Sequence, residues 1–88
     1  MRKTAIILPK AYTPSNLAGV YAALDAVKGR DVAVDCRNAV EPYSEVLGVL
    51  AGLCRRAMRR QVVVTAVNVD NDLKELIDVS GLTYLLRV

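Results

Sequence analysis

Histidine, tryptophan and phenylalanine are all missing from this chain. Without histidine, the commonest general base and metal ligand is gone. Four tyrosines are the only aromatics, so aliphatic side chains must fill the core. There are just two cysteines, Cys36 and Cys54, each inside an apolar pattern. Both are expected as buried free thiols rather than as a disulfide. No apolar run approaches the ~18 residues of a membrane span. The opening MRKTAIILPK is basic, but its apolar run from Ala5 to Leu8 is too short for a secretion signal. A cytoplasmic protein without a membrane span is the expectation. A glycine-rich phosphate loop is also lacking, because Gly48 and Gly52 fall inside a helical pattern rather than ahead of one. The acids Asp70, Asp72, Glu75 and Asp78 gather on one short segment and suit a solvated helix start better than a metal site. Asp35 ends a strand, where open α/β sheets place their chemistry, yet no second group joins it. The expectation is a protein that is no enzyme and uses no cofactor or metal.

What remains is compact and aliphatic. Eighty-eight residues make one domain, 1–88, large enough to bury a little over about 60% of its unfolded surface. With 53% hydrophobic and 24% charged residues the chain is globular, and a net charge of +3 is too weak alone to imply nucleic acid. There is no internal repeat, low-complexity segment or linker. Thr4 to Leu8 forms an apolar strand stopped by Pro9. Thr13 caps a helix whose first residue is Pro14, where a missing amide costs nothing. Leu17, Val20, Tyr21, Leu24 and Val27 mark its stripe, with Lys28 in the last turn and Gly29 beyond. Asp31 to Cys36 alternates as a strand with Val32 and Val34 on one side. A central helix follows, then the β-branched run Gln61 to Val67. Asp70 or Asn71 caps a short helix with Leu73, Leu76 and Ile77 on its apolar face, and Gly81 ends it. Leu82 to Val88 reads as a last strand. The alternation predicts an α/β domain with about four strands in a mixed or mainly parallel sheet, and three helices largely on one face.

The central helix carries the most information. Ser44 suits an N-cap, and Val46, Leu47, Leu50, Leu53, Cys54, Ala57 and Met58 form the apolar stripe. The opposite face then holds Glu45, Gly48, Val49 and Gly52, followed by Arg55, Arg56, Arg59 and Arg60. Glycine and valine on an outer face suit contact with another protein better than contact with water. Val49 and Gly52 are therefore expected to be exposed, and the arginines to favour an acidic partner surface.

The tail Leu73-Lys-Glu-Leu-Ile-Asp-Val-Ser-Gly-Leu82, with Thr83 to Val88 after it, resembles the closing segment of STAS domains, the family of the anti-sigma factor antagonists. Tyr43-Ser44-Glu45-Val46-Leu47-Gly48-Val49 stands where that family places Asp-Ser-Ser/Thr-Gly-Leu-Gly-Val. The resemblance spans about Thr4 to Val88 and describes a minimal version of the fold. It implies a phosphoacceptor at Ser44, the serine that a partner kinase modifies in the antagonists. Tyr43, Glu45 and Val46 depart from the family pattern, so the phosphorylation motif is degenerate.

Two kinds of function follow. One is a regulatory protein-binding module resembling the anti-sigma factor antagonists. It would dock through the Ser44 loop and the outer helix face, using Tyr43, Ser44, Glu45, Gly48, Val49, Gly52, Arg55 and Arg56. Its partner would be an anti-sigma kinase or, alternatively, the ATPase of a lipid-type ABC transporter that it serves as cytoplasmic accessory subunit. The exposed patch is also compatible with a homodimer. The other kind is nucleic-acid binding through Arg55 to Arg60, which lacks an aromatic platform and is the weaker fit.

Overall fold

The computed structural model describes residues 4–84, 86 and 87. Strand β1 spans Thr4–Ile7, helix α1 Pro14–Asp25, β2 Asp31–Asp35, α2 Ser44–Arg59, β3 Val63–Val67 and α3 Asn71–Ser80. A single 3-10 turn, Leu82–Tyr84, leads to the two-residue β4, Leu86–Arg87. The α/β class and the three helices are as expected, and every strand pairing is parallel. Of the expected four strands, three are full length and the fourth is only that two-residue segment beside β3. The strand expected over 82–88 therefore begins as a 3-10 turn, and its residues 85 and 88 lie outside the described ones.

The strands lie side by side in chain order, β1-β2-β3-β4. Right-handed crossovers between parallel neighbours in that order bring all the helices to one face. Burial agrees with this arrangement. The aligned row Ile6, Val34 and Ala66 is buried, as are Val32 and Val64 in the row beside it. They share one cluster with Val20 and Leu24 of α1, Val46, Leu50 and Leu53 of α2, and Leu73 and Ile77 of α3. Leu50, Leu53 and Leu73 are each at most 1% exposed. Covering such a side chain stabilises the fold by roughly 1.5–3 kcal/mol. On the far face Ile7 is exposed, while Ala33, Val63, Thr65 and Val67 are half-buried.

Local chemistry explains most of the boundaries. The Thr13 hydroxyl accepts from the Asn16 amide at 3.1 Å, with Pro14 next in line. Asp70 caps α3 by accepting from the Leu73 amide at 2.8 Å. Gly81 closes α3 in the left-handed conformation at φ 82°, which glycine adopts without a Cβ penalty. The end of α1 differs from expectation. The helix stops at Asp25 rather than near Lys28, and Val27 is buried beyond its end. Arg60 accounts for the early stop, since its guanidinium donates to the carbonyls of Leu24 and, at 2.6 Å, Val27. The Leu24 carbonyl also accepts from the Val27 amide at 3.1 Å.

Candidate functional site: the carboxyl edge of the sheet and the α3 groove

The loops that leave the carboxyl ends of β2 and β3 meet at one edge of the molecule. Asp35, the last residue of β2, is 3% exposed. Its cover is a lid of polar side chains rather than deep core. The Arg37 amide donates to Oδ1 at 2.9 Å, the Arg37 guanidinium clasps Oδ2, with Nε at 2.8 Å, and the Asn68 amide reaches Oδ1 at 3.0 Å. Those hydrogen bonds, from Arg37 first and then Asn68, hold the Asp35 carboxyl well below the usual carboxylate range, against a smaller opposing effect of burial. A carboxylate so occupied has no lone pair directed at a ligand, so Asp35 fastens the β2 and β3 exits together.

The second link is Tyr43 to Asp70. The Tyr43 hydroxyl donates to the Asp70 carboxylate and ties the start of α2 to the start of α3. This bond, together with burial, pushes the Tyr43 phenol up to about 12, and Asp70 moves down in response. Tyr43 is only 9% exposed: its ring belongs to the core cluster, and it lines the groove described below. The same anchoring removes Ser44 from the capping position. Tyr43 already has helical backbone angles, its carbonyl accepts from the Leu47 amide at 2.9 Å, and no side chain caps the helix. Ser44 is the first helical residue and is exposed, as are Glu45 and Gly48.

The outer face of α2 splits in two. Val49 is 6% exposed, not open as expected. It stands three residues after Val46 and four before Leu53, and so falls on their stripe. Met58, expected inside, is 57% exposed. Gly52 is covered too: a Cβ there would lie 2.2 Å from the Tyr21 hydroxyl oxygen. Arg56 pairs with Asp25 at 3.0 Å and lies over the Tyr21 ring, 5.1 Å from its centroid. Arg60 seals the end of α1, as described above. Arg55 and Arg59 stay exposed, one turn apart. Both cysteines are free and buried, as expected, and burial raises both thiols, Cys36 to about 11.

A groove opens beside Ser44 that the sequence did not reveal. One wall is the loop Glu41, Pro42 and Tyr43; the other is the outer side of α3, with Asp72, Glu75, Leu76 and Val79. Its volume is about 450 Å³. Leu76 is 40% and Val79 79% exposed, and Val40 in the adjoining loop is exposed as well. The expectation that Leu76 lies on the buried face is thus corrected, since Leu73 and Ile77 alone fill that role on α3. One signal was present in the sequence: Asp72, Glu75, Leu76 and Val79 repeat at helical spacing, as a second stripe beside Leu73 and Ile77. Of the acids expected as plain solvated charge, Asp72 and Glu75 rim this groove. Among the described residues no cluster of acids and cysteines is placed to hold a metal ion, and no helix is long and apolar enough to cross a membrane.

No protein-family model, curated protein or solved structure matches the chain.

Proposed function

We propose that this chain is a non-enzymatic protein-binding module of the kind the anti-sigma factor antagonists represent. Its docking surface runs from Ser44, Glu45 and Gly48 across the groove to Leu76 and Val79. The exposure of Leu76 and Val79 inside an acid-rimmed groove carries the reading, because apolar side chains set among charges on a small domain mark a contact surface. Supporting it are the βα order of the STAS resemblance and the exposed position of Ser44 at the opening of α2. The surface differs from the one expected. Val49, Gly52 and Arg56 drop out of it, the first buried, the second covered by Tyr21 and the third paired with Asp25. The partner would be an anti-sigma kinase or, in the second setting, a transporter ATPase. Nucleic-acid binding loses ground, since Arg56 and Arg60 are engaged within the fold.

Ser44 links docking to regulation. Phosphate there would add about −1.5 to −2 charges at a helix start, which tolerates negative charge, and directly beside the groove. The test is capture of a partner by wild type and by four variants. Val79→Asp should lose it and Ser44→Asp, which adds to an acidic rim that selects a basic partner surface, should strengthen it, whereas Ser44→Ala and the distant Lys28→Asp should keep it. Equal capture by all of them would sink the assignment of this surface.

A further inference from the structure

The groove and the arginine end of α2 are complementary in charge. The groove is concave, with Leu76 and Val79 between the carboxylates of Glu41, Asp72 and Glu75. The exposed end of α2 carries the opposite charge: Arg55 and Arg59 stand one turn apart, and Met58, 57% exposed, flanks them on one side. Among the described residues the other two arginines of the run are engaged, Arg56 with Asp25 and Arg60 with carbonyls of α1. Arg55 and Arg59 form no ion pair there. Acid faces arginine when ridge and groove of two copies meet, with Met58 at the margin of the contact.

We infer that the groove of one copy receives the Arg55-Met58-Arg59 ridge of a second copy. The inference rests on the reading of the groove as a protein-docking surface and names its occupant. Ridge and groove are different patches, so the contact is head-to-tail and leaves a free groove at one end and a free ridge at the other. Assembly therefore continues into chains or rings instead of stopping at a two-fold dimer. A groove of this size covers less than a standard interface of about 800 Å² per partner, so the contact is weak and depends on concentration. It also depends on salt, because exposed charges are screened within about 10 Å at 0.1 M ionic strength. A phosphate on Ser44 strengthens the acidic rim and so favours the basic ridge.

Sedimentation equilibrium of the whole chain tests this, up to a concentration on the order of 1 mM, where contacts of this strength populate. In low salt the weight-average mass of wild type should rise at least about twofold above monomer, and at about 0.5 M salt it should return to monomer. Glu75→Arg alone and Arg55→Glu alone should each stay monomeric, both being exposed positions whose melting temperatures should match wild type. Mixed one to one, the two variants should associate again, because each then meets the opposite charge. A wild type that remains monomeric in low salt overturns the inference; the groove reading is then judged separately by the Val79→Asp capture result. Single variants that associate like wild type, or a mixture that stays monomeric, overturn it equally.

Discussion

Gly48 and Gly52 sit one turn apart on α2 and differ in what a methyl group would meet. A Cβ at Gly48 has nothing within 4 Å, whereas one at Gly52 would lie 2.2 Å from the Tyr21 hydroxyl oxygen and 3.3 Å from Cζ. Replacing a helix-interior glycine by alanine gains about 0.8–1 kcal/mol through reduced backbone freedom. Gly48→Ala should therefore stabilise the domain by about that amount, a rise of roughly 4–8 °C in melting temperature for a chain of this size. Gly52→Ala receives the same gain but forces Tyr21 aside. The ring then leaves Arg56, now 5.1 Å from its centroid. An exposed cation–π contact contributes about 0.5–1 kcal/mol. The two effects nearly cancel, and Gly52→Ala should be close to neutral. In a Tyr21→Ala background the obstacle is gone, so Gly52→Ala should recover the full gain of about 1 kcal/mol. Thermal melts and urea titrations of the four single and double variants complete the cycle. If the two glycine substitutions stabilise equally in the wild-type background, Tyr21 does not cover Gly52 and the placement of α1 against α2 is wrong.

Burial makes a second demand on α2: Val49→Ala should cost about 2 kcal/mol, from two methylene equivalents at about 0.8 each plus some cavity. Met58→Ala should stay within about 0.5 kcal/mol, and the reverse ranking would mean that α2 is rotated about its axis. Stability should also fall in alkali. Tyr43 and Cys36 are raised to about 12 and about 11 from ordinary values near 10 and 9, so the fold favours their protonated forms. Their contribution is complete below about pH 9 and fades as the pH climbs through the folded values. Urea midpoints should drop between pH 9 and 12 in wild type, and less steeply in Tyr43→Phe. A flat profile there would refute the Tyr43–Asp70 link. In acid the sign reverses: Asp35 and Asp70 are depressed, so their contribution holds above about pH 4 and is lost as the pH falls further.

The alternation of strands and helices was legible because each element carries its own period. Val32 and Val34 alternate, while Leu73 and Ile77 recur at helical spacing. Capping was legible for the same local reason, with Thr13 before Pro14, Asp70 before α3 and Gly81 after it. The rotation of α2 was not. Apolar residues cover more than half of its circumference, so either Val49 or Met58 could have been the edge of the buried stripe. Tyr21 decides between them, and its position depends on how α1 lies across α2. The groove was hidden for a longer-range reason, since the Tyr43–Asp70 bond that sets one of its walls joins residues 27 apart in the chain.

The arginines show the same limit from the side of function. Arg55, Arg56, Arg59 and Arg60 look alike in the sequence, and spacing alone would assign them one role. The fold divides them by what each finds within reach. Arg60 meets the carbonyls of Leu24 and Val27 at the end of α1, and Arg56 meets Asp25 and the Tyr21 ring. Arg55 and Arg59 meet neither, and so keep their charge beside an exposed methionine. The same reasoning separates the acids: Asp35 and Asp70 are spent on holding loops and helix starts together, which leaves Asp72 and Glu75 to rim the groove. Part of the charge on this domain closes the ends of its own elements. The charges that closure does not use are the ones able to choose a partner.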